Sequence, residues 1–198
     1  MAVTKTLKIK QLLKKNYANT KVLQNLAYGA AKKKAEGLQN TALKELNEHQ
    51  VTKELERGSS GTSILLGGRG NFFGFLGFEK GYQPVSILKD ILEKGIKIRN
   101  TKGKLKKVSE TSFLWEFDID IPSTTDIYRL TQTLDWTTRS WVSGIEKGIT
   151  NAAQTVFRDS ERSRSGVALQ TTRNVGFITF HRTPYITDIL NNLRKQLA

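Results

Sequence analysis

The sequence predicts an α+β fold: a long N-terminal helix and a second long helix packed on a small antiparallel sheet, with a flexible N-terminal arm and loops. Three patterns lead there. Apolar and small residues recur at three- and four-residue spacing from Leu23 to Leu46. A strict two-residue alternation sets Phe113, Trp115, Phe117, Ile119 and Ile121 against Ser112, Leu114, Glu116, Asp118 and Asp120. A second helical stripe joins Trp141, Ile145, Ile149, Ala152 and Val156. The chain has 198 residues, 37% of them hydrophobic, enough for one domain with a real core. Residues 1–19 read as a basic arm and residues 20–198 as the single domain.

In chain order, the arm carries Leu7, Ile9, Leu12 and Leu13, too few apolar residues to anchor it alone. It reads as a segment, with at most a short helix, that orders against a neighbour. A helix over residues 20–47 follows, capped by Asn19 or Thr20 and about 40 Å long at 1.5 Å per residue. Part of so long a helix is expected to face another subunit. His49 marks a corner, and Thr52 is placed to cap one more turn through Leu55, ending at Gly58. Residues 58–63 read as flexible. Phe72, Phe73, Phe75 and Phe78 then fall within seven residues, an irregular strand or a loop that plugs the core, since aromatic burial is worth about 25 cal/mol per Å².

Pro84 and Gly95 bracket a short helix. Residues 96–99 and 104–108 read as strands joined by a turn at Asn100–Gly103. They lead into the strand ending at Ile121, where Lys97 and Arg99 are expected across from Glu116, Asp118 or Asp120. Pro122 stops that strand and Ser123 caps a turn around residues 126–130. The second long helix is expected over 138–157, with Gly144 and Gly148 letting it press on the sheet. Residues 158–174 read as an exposed polar loop, 175–180 as a last strand, and Thr183-Pro184 as the opening of a C-terminal helix.

The net charge is +14, from 32 basic and 18 acidic residues, which suits an anionic partner. Residues 1–35 hold nine lysines and no acid, residues 89–107 eight basic and two acidic residues, and residues 108–128 five acids and no base. Opposed patches of this kind suit docking of one subunit on another. With 0 cysteines there is neither disulfide nor thiolate metal site. No stretch reaches the roughly 20 apolar residues of a membrane span, and the lysine-bearing N-terminus lacks the apolar run of a signal peptide.

Catalytic signatures are missing from the string. His49 and His181 lack neighbours at ligand spacing. In Gly68-Arg69-Gly70-Asn71-Phe72-Phe73-Gly74 the third glycine comes one residue late for a dinucleotide fingerprint, and no Gly-Lys-Ser/Thr follows. There is no G-x-S-x-G elbow. The acids Glu116, Asp118 and Asp120 read as the wet face of a strand rather than a catalytic carboxylate set. The expectation is a chain that is not an enzyme and takes no cofactor or metal. Nucleic-acid binding through the arm, Lys32-Lys33-Lys34 and the arginine loop is the alternative, as in DNA packaging or ribosome association. It would be non-specific, because aromatics are not interleaved with the basic runs.

Two strings carry a likeness: Asn47-Glu48-His49-Gln50-Val51-Thr52-Lys53-Glu54-Leu55, and Leu66-Gly67-Gly68-Arg69-Gly70-Asn71-Phe72-Phe73-Gly74-Phe75-Leu76-Gly77-Phe78. With Arg139, Trp141 and Gly144 in the 136–148 stretch, the chain resembles virion proteins of contractile- and long-tailed bacteriophages, the neck, head–tail joining and tail-completion proteins. The likeness spans about residues 40–150 and departs at Gln50, where that pattern has proline, leaving the corner less rigid. It implies a structural subunit of a homo-oligomeric ring, sixfold or twelvefold, between portal and tail. Partners would be like copies, other neck, portal or tail proteins and DNA in the channel, with no membrane. The protein would reside in the virion after assembly in the host cytoplasm. Ring contacts are heterologous, so two different surfaces must meet. In this reading Lys5, Lys8, Lys10, Lys14 and Lys15 of the arm reach over a neighbour. The loops at 58–71 and 158–174, with Arg69, Arg158, Arg162 and Arg164, contact subunits or DNA.

Overall fold

A computed structural model describes residues 3–12, 20–107, 112–133, 138–149, 155–156, 163–170 and 180–197. Helix α1, Thr20–Glu48, is the spine of the molecule. Its buried face is mostly alanine: Ala27 and Ala31 lie on Trp115 and Phe117, while Ala35, Leu38, Ala42 and Leu46 enter the main core. Small side chains let a helix approach its neighbours closely, so one straight element serves both the sheet and the helical layer. Its opening turns project beyond that cover and leave Val22 and Leu26 exposed.

The sheet is centred on β4, Ser112–Ile121, which pairs on one side with β1, Val3–Leu12, and on the other with β2, Lys97–Ile98, and β3, Lys104–Lys107. Every pairing is antiparallel. The expected alternation holds where it is described: Trp115, Phe117, Ile119 and Ile121 are buried. Two expectations change. Residues 3–12 form a full edge strand along β4, from Val3 opposite Ile121 to Leu12 opposite Ser112, rather than a helix-bearing arm. Val3, Thr4, Thr6 and Ile9 are β-branched, a composition that favours extended backbone. The chain also does not reverse at residues 100–103. Ile98 stands opposite Ile119 and Lys104 opposite Glu116, so β2 and β3 run the same way along β4. The five residues between them bulge outward, as an excess of residues on one strand requires. Gly103 closes the bulge at φ 64°, where an added Cβ would meet the Phe117 ring at 2.8 Å.

Helix α2, Gln50–Glu56, follows α1 with only His49 between them. The cap is His49, which accepts from the Val51 amide. Thr52, expected as the cap, is buried and its hydroxyl lies 2.6 Å from that of Tyr185. The four clustered phenylalanines are all buried, three of them on the one-turn helix α3, Phe72–Phe75; they plug the core as helix, not as strand. Phe72 packs on Phe180 at 5.2 Å and Phe78 meets Trp141 edge-on at 5.7 Å. Helix α4, Pro84–Gly95, lies where its proline and glycine place it, and the Gln39 side chain of α1 donates to the carbonyls of Glu93 and Ile96 at its end. Helix α5, Thr124–Leu130, opens with the Ser123–Asp126 capping box.

The expected second long helix is a correction. Helix α6 covers only Trp141–Lys147. Gly148 takes φ 83°, a left-handed conformation that breaks the helix, and Ile149 then pairs with Phe180 as a β-bridge. Strands β5, Thr155–Val156, and β6, Leu169–Gln170, form a separate two-stranded pair. The expected strand at 175–180 lies outside the described residues except for Phe180. Helix α7, Ile186–Gln196, closes the core with Ile186, Ile189, Leu190 and Leu193. Among the described residues no helix is long and apolar enough to cross a membrane.

Candidate interaction surfaces

The loop after α2 has a fixed set of backbone partners, although its glycines and serines read as flexible. Glu54 is buried on α2, and its carboxylate accepts from the amides of Ile64 at 2.9 Å and Leu65 at 3.0 Å, from the Gln50 side chain and from the Ser63 hydroxyl. Ser63 in turn accepts from the Leu66 amide, and the Gly68 amide donates back to the Ser63 carbonyl at 2.8 Å. At the far end Asn71 caps α3 through the Gly74 amide at 2.8 Å and donates to the carbonyls of Gly58 and Gly61. Held this way, the turn presents Ile64, 68% exposed, together with exposed Arg69. The buried carboxylate thus holds an exposed isoleucine in a fixed position. Neither the asparagine cap nor the hold of Glu54, ten residues before Ile64, on the loop was expected from the sequence.

The basic residues named from sequence stand on different elements. Lys5, Lys8 and Lys10 fall on β1, opposite Ile119, Glu116 and Leu114. Arg164 is committed within the fold: its guanidinium meets Glu79 at 3.1 Å and its carbonyl accepts from the Lys80 amide at 2.8 Å. Its segment is not wholly an exposed loop, because Ser165 and Ala168 are buried against Gly74 of α3. Lys14, Lys15, Arg158 and Arg162 lie outside the described residues.

A second surface follows the β2–β3 edge. Arg99 pairs with Asp120 at 2.8 Å and Lys106 with Glu116 at 2.9 Å. The two carboxylates are only 13% and 12% exposed, so these acids are engaged by their own chain and covered by it. The expected cross-strand arrangement is present: Lys97 stands opposite Asp120 and Arg99 pairs with it. Around these acids Lys97, Lys102 and Lys104 are exposed. The Gln24 side chain of α1 donates to the Lys102 carbonyl at 2.7 Å, which brings exposed Lys21, one turn earlier on the helix, to the same surface.

The remaining buried polar groups join elements. Glu146 on α6 accepts from the amides of Tyr185 at 3.3 Å and Thr187 at 2.6 Å, from the Thr187 hydroxyl at 2.6 Å and from the Tyr128 hydroxyl, so one carboxylate ties α5 and α6 to the start of α7. Burial, with the Glu146 carboxylate beside it, pushes the Tyr128 phenol up to about 12. A cleft of about 540 Å³ opens there, lined by Tyr128, Glu146, Lys147, Arg182, Thr187 and Asp188. The carboxylate at its wall is already filled by donors of its own chain, an arrangement that fixes geometry rather than one poised to abstract a proton. His49 accepts from the Val51 amide through Nδ1 at 3.2 Å and donates from Nε2 to the Pro184 carbonyl at 3.1 Å, again a joint between elements. Among the described residues no group of three or more His, Asp or Glu is placed to hold a metal ion.

Comparison with protein-family models, with curated proteins and with solved structures finds no match.

Proposed function

We propose that the chain is a structural virion protein of a tailed phage, a subunit of a neck or tail-completion ring that joins head to tail. The observation that carries this reading is the part played by the two resembling strings. Asn47–Leu55 supplies the His49 corner and Glu54; Leu66–Phe78 supplies Asn71 and the buried phenylalanines. Together they build a hydrogen-bonded turn that offers Ile64 and Arg69 to another molecule. A ring contact needs two unlike surfaces, and the turn supplies one of them. Its partners are like copies, neighbouring neck, portal or tail proteins, and the DNA that crosses the ring. It resides in the virion.

The polar residues at the junctions favour an assembly part over a catalyst, because Glu54, Asn71, Glu146 and His49 each spend their hydrogen bonds on joining elements. Light scattering across a concentration series, with negative-stain microscopy, tests the reading. The expected result is a closed ring that Ile64→Asp reduces to single copies with unchanged circular dichroism. A wild-type chain that stays a single copy at every concentration, and forms no ring on a portal or tail scaffold, overturns it.

A further inference from the structure

We infer that the β2–β3 edge and the opening turns of α1 form a duplex-DNA-binding surface that reads phosphates and not sequence. This adds a partner-facing surface to the ring reading, yet it rests on charge geometry alone.

The first observation is where the acids are. Chain charge is +14, and the acid-rich stretch at 108–128 holds five acids and no base. Glu116 and Asp120 of that stretch are nearly covered and paired with Lys106 and Arg99 of the same molecule. Elsewhere Glu36 pairs with Lys32, Glu48 with Lys44, Glu56 with Lys89, Glu79 with Arg164 and Asp90 with Lys94. Among the described residues most carboxylates are thus already engaged within their own chain, so a polyanion complements this charge better than a second copy does.

The second observation is the layout of the cations. Lys97 stands opposite Asp120, Lys104 opposite Glu116 and Lys106 opposite Leu114, so all three fall on the wet face of the sheet. At about 3.3 Å per residue they form a row about 20 Å long, and the bulge that carries Lys102, joined through Gln24 to the opening turns of α1 with Lys21, lies at the same sheet edge. Duplex DNA offers a charge every 3.4 Å along each strand, so such a row spans several phosphates. Lys97, Lys102 and Lys104 have no carboxylate partner among the described residues, which leaves their ammonium groups available. Lysines on this edge also discourage another strand from pairing with it, so the surface stays open to a polyanion.

The third observation selects duplex over single strand. Single-stranded binders stack bases on exposed aromatic rings. The large exposed hydrophobic residues described are Val22, Leu26, Ile64, Leu105 and Leu130, with no aromatic among them. Lysine is a point charge without the forked geometry that reads a base edge, so contact stays with the backbone.

The test uses the full chain and a fluorescein-labelled mixed-sequence duplex of about 24 base pairs, by anisotropy over 50–200 mM NaCl. The variant is K97E/K102E/K104E. The control, K53E/K80E/K195E, makes the same charge change at exposed lysines elsewhere. Each lost phosphate contact lowers the slope of log K against log salt by about 0.9, so the variant should lose about 2.7. It should bind at least about 30-fold more weakly at 100 mM salt, while the control changes less than about fivefold. K97Q/K102Q/K104Q serves if the glutamates disturb folding and should show the same loss of slope. Equal loss in variant and control, no loss in the variant, or poly-L-glutamate of matched charge competing as well as DNA would each overturn the assignment. Light scattering of the same samples reports the ring separately, so failure here and failure of the ring reading are told apart.

Discussion

Replacing Glu54 with alanine probes whether the contact turn is held by its carboxylate. Four donors converge on Glu54: the Ser63 hydroxyl, the Ile64 and Leu65 amides and the Gln50 side chain. Ser63 is buried, so its hydroxyl loses an acceptor that water cannot replace; an orphaned buried donor of this kind costs about 1–3 kcal/mol. Ile64 is exposed and Leu65 half-buried, so their amides recover water and lose only about 0.5–1 kcal/mol each. The sum is about 2–5 kcal/mol. For a chain of this size each kcal/mol moves Tm by about 2–4 °C, so Glu54→Ala should melt about 4–20 °C lower. The urea midpoint should fall with an unchanged slope, since little extra surface is exposed by the native state. Glu54→Gln keeps one acceptor oxygen and should lose about half as much. Hydrogen exchange should quicken at the Ile64 and Leu65 amides before it quickens in α1. A Glu54→Ala chain within about 1 kcal/mol of wild type, with exchange at those amides unchanged, would refute the reasoning.

Three further outcomes follow from the same geometry. Gly74→Ala places a Cβ 2.9 Å from that of Ala168 and 3.0 Å from Cγ2 of Val167, so it should cost about 1–3 kcal/mol by urea denaturation; a neutral result would mean the 163–170 segment does not sit on α3. Burial holds the His49 imidazole below its ordinary 6.5, and the Val51 amide needs its Nδ1 unprotonated. The unfolded chain therefore takes up the proton first as pH falls. The contribution is full above 6.5 and declines as pH drops through that value until the folded-state value is passed. His49→Asn should remove that part of the pH dependence, read as urea midpoints at pH 7.5 and 5.5. Tyr128→Phe removes a donor to Glu146 and should cost about 1–2 kcal/mol. In wild type, ultraviolet titration should show one tyrosine ionising near 12 that the variant lacks.

What the sequence made legible was local. The alanine-rich stripe of α1, the alternation of β4, Pro84 before α4 and the Ser123–Asp126 box each act within a few residues, and each element formed where its pattern lies. What it hid depends on partners far along the chain. β1 is a strand because β4 offers a ladder more than a hundred residues away. Residues 97–107 look like a hairpin, yet the same β4 takes both halves on one side. The second helix overran because its apolar stripe continues past Gly148, and spacing alone does not register a left-handed glycine that redirects Ile149 to Phe180. Among the candidate contact residues, Arg69 was legible as a loop cation. The commitment of Arg164 to Glu79 was not, since 85 residues separate them. The meeting of Lys97 and Arg99 with the acids of β4 was legible from the alternation of that strand, whereas the pairing of Lys106 with Glu116 was not.

The pairing of Val3 with Ile121 also sets an order of events during synthesis. Residues 3–12 are made well before residues 112–121, the strand that receives them, so they are among the last to find their place. At about 5–20 residues per second the wait is roughly 6–24 s. Throughout it Lys5, Lys8 and Lys10 give the nascent segment a charge that discourages premature association with other nascent chains.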